Sequence, residues 1–131
     1  TDCHQLNDPY HPETKLFPPH NIEGTVGRDF YGKLKSWYDE NSTRSNVWMM
    51  DKTRYSAFVG TNLDLKLRER GVKTLHLIGV CTDICVLQTA IYAYNLGYKL
   101  IIHKNAVAAT SPENQKFALD NMKNNLGAKI V

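Results

Sequence analysis

The sequence predicts an α/β fold: a doubly wound, mainly parallel sheet with helices on both faces, in three αβα layers. Three observations carry this. Strand-like and helix-like segments alternate along most of the chain. The strand segments are continuous apolar runs, the pattern of parallel strands covered on both faces. The helical segments end on recognisable cap and stop residues. At 131 residues the chain is expected to be one domain, residues 1–131, large enough for a sizeable core.

Taken in order, the first 28 residues read as loop. They hold four of the five prolines and three of the five histidines. Loops of such length inside a compact domain are usually functional. RDFYGKLKSWYDEN follows as a short helix, with Phe30, Leu34, Trp37 and Tyr38 at apolar positions. SNVWMMDK reads as a strand. TNLDLKLRERG is a second helix, with Leu63 and Leu67 on its apolar side and Gly71 as its stop. KTLHLIGV is a buried strand, and DICVLQTAIYAYNLG a helix ended by Gly97. YKLIIHKNAVAA is another strand. SPENQKFALDNMKNNLG is a helix with Ser111 at its N-cap, Pro112 in its first position and Gly127 at its close. AKIV begins a last strand. A doubly wound domain is expected to start with a strand–helix unit of roughly 30 residues or more. Here the sequence opens on a polar loop, so the domain reads as truncated at both its N- and C-terminal ends.

Bulk properties narrow the partners. The net charge is +3 and the basic residues are dispersed. Lys66, Arg68 and Arg70 alternate with Leu65, Leu67 and Glu69, which is the solvated face of a helix and not a nucleic-acid patch. No apolar run approaches the roughly 20 residues that cross a bilayer, so no membrane partner is expected. The opening TDCHQLNDPYH lacks the features of a signal peptide. With an odd number of cysteines, three, this points to a reducing compartment, the cytoplasm, and away from a disulfide framework.

Two of the cysteines, Cys81 and Cys85, fall in GVCTDICV, where a strand turns into a helix. In parallel sheets ligands bind at such carboxyl ends. A redox couple would be spaced C-x-x-C, but here three residues intervene. No second cysteine pair completes a structural zinc site. Cys85 in the first turn of a helix would have its thiolate favoured by the helix dipole, and the N–H groups there could hold an oxyanion. Two buried thiols without chemistry are an equally good reading of placement alone.

The front loop crowds Asp2, His4, His11, Glu13 and His20 into twenty residues. Asp2 and His4, two apart, project from one face of an extended segment, and so do His11 and Glu13. Oxygen and imidazole donors suit Zn, Mn or Fe in the divalent state, with open positions for substrate. A polar, His-rich surface loop is the alternative. Lys52, just past the run ending in Met50, reads as a solvated edge residue unless a thiolate shares its site.

These stretches resemble the isochorismatase-like cysteine hydrolases, and their nicotinamidase branch in particular. The resemblance rests on T-D-C-H, H-P-E and L-F-P-P-H near the start, M-D-K-T-R-Y-S-A-F in the middle and G-V-C-T-D-I-C-V-L-Q-T-A later. It implies an isochorismatase-like fold and hydrolysis of nicotinamide to nicotinate and ammonia, a step of NAD salvage. It implies Cys85 as nucleophile, Lys52 as its cationic partner, and the backbone N–H groups of Cys81 and Cys85 as oxyanion hole, with a cis peptide at Val80–Cys81. Asp2, His4, Glu13 and His20 would hold a divalent metal, zinc first and Mn or Fe after it, with His11 as the substitute for Glu13. Phe17 would stack on the pyridine ring and Tyr55 would lie beside the amide. A homo-oligomer, dimer or tetramer, is implied as well. The family's general base is an Asp on a first strand, which the resemblance does not locate in this sequence. Two alternatives follow: a sister hydrolase acting on another amide, carbamoyl or vinyl-ether substrate, or a catalytically inactive metal-binding fragment.

Overall fold

The computed structural model describes residues Thr1–Val131, and the chain divides into two compact units, Thr1–Thr53 and Arg54–Val131.

The first unit is built almost wholly from turns. Its regular pieces are 3-10 turns at Pro12–Lys15 and Val26–Arg28 and one helix, α1, Lys33–Asn41. The helix predicted from Arg28 starts five residues later. Gly32 precedes it at φ 56°, a left-handed conformation that glycine tolerates and that interrupts helical winding. SNVWMMDK, predicted as a strand, makes no ladder. Its only bridge pairs Lys52 with Asp2, through Cys3 N–H to Lys52 O at 3.0 Å and Lys52 N–H to Thr1 O at 2.9 Å. Only Thr1–Cys3 runs beside its end, with the Thr1 amino group donating to Met50 O at 2.7 Å, and apolar content alone does not extend so short a pairing into a ladder.

The second unit carries the predicted alternation. In order it has α2 (Leu63–Glu69), β1 (Thr74–Val80), a π-helical turn (Thr82–Val86), α3 (Leu87–Asn95), β2 (Lys99–Ala108), α4 (Pro112–Asn125) and β3 (Lys129–Ile130). The three strands form one parallel sheet in the order β1-β2-β3. Between Leu77↔Ile102 and Gly79↔Val107 the β1–β2 register slips, because β2 bulges there. The N-cap signal of α4 is realised: the Ser111 hydroxyl accepts from Asn114 N–H and Pro112 sits in the first turn.

The core gathers Leu75 of β1, Leu100 and Ile102 of β2, Ala90 and Ala93 of α3, and Ala118 and Met122 of α4. Ile102 and Met122 are fully buried, and truncating either to Ala should cost about 2–5 kcal/mol. Small residues on both helices let the backbones approach the sheet closely. Tyr98 stacks on Phe58 at 5.9 Å and donates its hydroxyl to Asp64 at 2.7 Å. β1 was expected to be buried throughout. Instead it buries Leu75 and leaves Ile78 and Val80, on its other face, about two-thirds exposed, since no helix of its own unit covers that side. No helix is long and apolar enough to cross a membrane.

Candidate metal centre and nucleophile turn

In the first unit, the segment Thr1–His4 is extended between two neighbours. Lys52 pairs on one side, and on the other His4 N–H donates to Asn21 O at 3.1 Å while Glu23 N–H donates to His4 O at 2.9 Å. Alternation along this segment brings Asp2 and His4 to one side, as the i, i+2 spacing predicts. The ligand atoms of Asp2, His4 and His20 all lie within 4.8 Å of one another. Glu13 Oε2 is 3.7 Å from His4 Nε2 and 3.6 Å from His20 Nε2. His4 and Glu13 are both buried.

The hydrogen bonds around the imidazoles define their free lone pairs. His20 Nδ1 lies 2.9 Å from Pro18 O. A carbonyl only accepts, so Nδ1 carries the proton and Nε2 faces the cluster with its lone pair. His11 Nε2 is 2.7 Å from Thr53 O and therefore donates, while its Nδ1 accepts from Glu13 N–H at 3.2 Å. Both nitrogens of His11 are thus engaged in holding the loop, as the N-cap of the Pro12–Lys15 turn. Between the two residues that the sequence leaves open at this position, Glu13 presents its carboxylate to the cluster and His11 is its support.

His4 differs from both. Its two ring nitrogens are buried without a hydrogen-bond partner, which is costly for an imidazole unless something else binds it. Burial holds its pKa below the ordinary imidazole value, opposed by the charge of Glu13. A neutral, desolvated imidazole with a free lone pair is a ready metal ligand. Lys52 donates an ion-paired hydrogen bond to Asp2 Oδ1, so the lysine singled out by the sequence is tied to a residue of this cluster. Phe17 lies at the rim, half-exposed, with its ring 6.1 Å from that of His20; it lines a shallow recess with His4, Glu13 and His20.

In the second unit, β1 ends at Val80, the Val80–Cys81 peptide is cis, and the chain enters the π-helical turn. Cys81 O accepts from Ile84 N–H at 3.2 Å and Val86 N–H at 3.1 Å. The sequence places Cys85 in the first turn of an α-helix; the structure places it in this π-turn, with α3 starting two residues later at Leu87. The wider i→i+5 winding is a recurrent feature of functional sites. Cys81 and Cys85 are each partly exposed, and none of the three cysteines is in a disulfide. Tyr55 is half-buried in the same unit. Asp83 of the same turn bonds Thr110, in the loop between β2 and α4.

The chain matches the isochorismatase domain over residues 1–131. It is a member of the isochorismatase family. The isochorismatase family protein PncA of Bacillus subtilis is 56% identical over 130 residues, covering 99% of this chain and 71% of that protein. The crystal structure of nicotinamidase/pyrazinamidase PncA from Bacillus subtilis superposes with a TM-score of 0.97 at 55% identity, over 99% of this chain and 71% of that one. The pyrazinamidase/nicotinamidase of Streptococcus mutans gives 0.97 at 57% identity, over 99% and 72%. The pyrazinamidase of Pyrococcus horikoshii, crystallised in complex with zinc, gives 0.82 at 31% identity, over 99% and 71%. As an isochorismatase-family member the chain has the parallel-sheet fold that the alternating pattern predicts, and two of the solved structures it superposes on are nicotinamidases.

Proposed function

We propose that this isochorismatase-family chain is one hydrolase domain of a cytoplasmic nicotinamidase, which converts nicotinamide to nicotinate and ammonia in NAD salvage. The observation that carries the reading is the cluster of Asp2, His4 and His20 with Glu13 beside it. It occurs in a chain 55–57% identical to crystallised nicotinamidases.

The cluster fits a divalent metal, zinc first and Mn or Fe as substitutes. Its donors are carboxylate and imidazole, and the orphaned nitrogens of His4 are the group that a metal would satisfy. Asp2, His4, Glu13 and His20 would hold it, with His11 and the Pro18 carbonyl orienting two of them. When bound, the metal supplies a coordination point for the pyridine nitrogen.

The remaining chemistry belongs to side chains. Phe17 stacks on the substrate ring and Tyr55 meets the carboxamide. The Cys85 thiol loses its proton to the general-base Asp that the resemblance implies. The thiolate attacks the carboxamide carbon, forming a C–S bond as the carbonyl electrons move to oxygen. Lys52 and the N–H groups of Cys81 and Cys85 stabilise that charge. The C–N bond breaks, the nitrogen takes the proton, and ammonia leaves a thioester. Water then adds to the acyl carbon and releases nicotinate and the Cys85 thiol. The family resemblance also supports a homo-oligomer, dimer or tetramer.

Ammonia release from nicotinamide by the intact protein tests the reading. Activity should fall by on the order of 10⁴-fold or more in Cys85→Ala and be lost on chelation. Turnover of a carbamoyl substrate with none of nicotinamide would assign the chain to a sister hydrolase instead.

A further inference from the structure

The turn that carries Cys85 is five residues long, and several of its backbone hydrogen bonds stay within it. Cys81 O accepts from Ile84 and Val86, and Leu87 N–H donates to Ile84 O and Thr82 O. Thr82 and Val86 are buried at its two ends. Asp83, between them and two residues before Cys85, points elsewhere. Its carboxylate accepts from Thr110 N–H at 3.3 Å and from the Thr110 hydroxyl at 2.6 Å. The Thr110 hydroxyl in turn accepts from Asn114 Nδ2 at 2.7 Å, and Asn114 N–H is held by the Ser111 hydroxyl at 3.2 Å.

This chain of bonds runs from the nucleophile turn to the loop after β2 and into the first turn of α4. It joins the carboxyl ends of two adjacent parallel strands, where β1 and β2 pair through Val80 and Ala108. A hydroxyl that donates to a carboxylate while accepting from an amide is polarised in one direction, and such serial bonds reinforce one another. Burial alone would raise the Asp83 carboxyl, but donors from Thr110, its own backbone and Asn114 outweigh it and hold the group below the ordinary carboxylate range. The carboxylate is therefore ionised at neutral pH and spent on Thr110.

We propose that Asp83, clamped by Thr110, is a positioning residue that fixes the π-helical turn and so sets the direction and reactivity of the Cys85 thiol. The proposal rests on the reading of Cys85 as nucleophile. Asp83 itself touches neither substrate nor the reacting atoms. It acts by removing the lateral freedom of a five-residue turn, and misplacement of a reacting group by about 1 Å can cost roughly 100-fold in rate.

The test uses the intact protein and three variants: Asp83→Ala, Thr110→Val and Thr110→Ser. Alkylation of Cys85 by iodoacetamide is followed across pH by peptide mass spectrometry, beside nicotinamide kinetics and thermal unfolding. Asp83→Ala and Thr110→Val should slow alkylation and displace its pH profile. They should lower kcat by up to about 100-fold with KM little changed. Thr110→Ser, which keeps the hydroxyl, should restore both. A lowered Tm with wild-type alkylation profile and kcat would reduce the clamp to a structural contact and overturn the proposal. If Asp83→Ala does not fold, the Val and Ser variants of Thr110 decide the matter. Should the protein prove inactive on nicotinamide, the alkylation profile still reports on the clamp, so the two readings fail separately.

Discussion

The two units bury opposite kinds of side chain. Every buried hydrophobic residue, from Phe58 to Ala128, belongs to the second unit, whereas the first buries His4, His11, Glu13 and Asn41. The second unit is held by apolar burial under a hydrogen-bonded sheet, and the turn proposed to carry its nucleophile follows a strand end. The first is held by turns and by side chains that bond the loop, and its centre is a set of carboxylates and imidazoles in which both ring nitrogens of His4 lack a hydrogen-bond partner. An apolar core is stable by itself; a buried carboxylate among imidazoles asks for a cation. If the cluster holds a metal as proposed, metal binding and folding are coupled in the first unit and independent in the second.

The strongest way to break this contrast is to remove the support of a ligand without removing the ligand. His11→Ala deletes the bonds to Glu13 N–H and Thr53 O, and should weaken zinc binding by about 10–100-fold. Competition with a chelator would measure this, and wild-type affinity would mean that Glu13 needs no support.

Lowering the pH should separate the units next. The folded pKa of His4 lies below its unfolded value, near 6.5, because of burial. The unfolded chain therefore binds more protons, and stability is lost as pH falls from about 6.5 toward the lower folded value. The same protons compete with the metal. Asp83 behaves differently: its carboxyl is depressed, so its contribution is present above about 3.9 and lost only as pH falls through the lower folded value. Hydrogen exchange on the metal-free protein at about pH 5.5 should show residues 1–53 loosened and residues 54–131 unchanged. Loosening of both together would erase the distinction.

The smallest effect is expected at Cys81. In the proposed mechanism it acts through its backbone N–H, so Cys81→Ala should keep activity within a few-fold, and a loss as complete as that of Cys85→Ala would make its sulfur part of the chemistry.

Legibility in the sequence follows the same division. Apolar runs, Ser111-Pro112 and the closing glycines place β1, β2, α3 and α4 to within a few residues, because regular elements repeat with a period that side chains report. The pairing of Asp2 with His4 was legible for the same reason. The delayed start of α1 was not, since it depends on the backbone angle of Gly32. Nor was the missing ladder at SNVWMMDK, which depends on what lies beside it. The π-turn at Thr82–Val86 has no periodic signature in five residues. His11 could not be told from Glu13 by type; the bonds to Thr53 O and Glu13 N–H occupy both ring nitrogens of His11, while the Glu13 carboxylate lies beside His4 and His20. The H-P-E order, a polar residue ahead of Pro at the first turn, was the available signal of a cap.

The proposed hydrolysis turns on a thioester at Cys85, which rapid quenching of nicotinamide turnover followed by peptide mass spectrometry would reveal. A nicotinoyl group should be found on the peptide carrying Cys85, absent in Cys85→Ala and dischargeable by water. Turnover with that peptide unmodified at every time point, or the acyl group on another residue, would rule out Cys85 as the nucleophile.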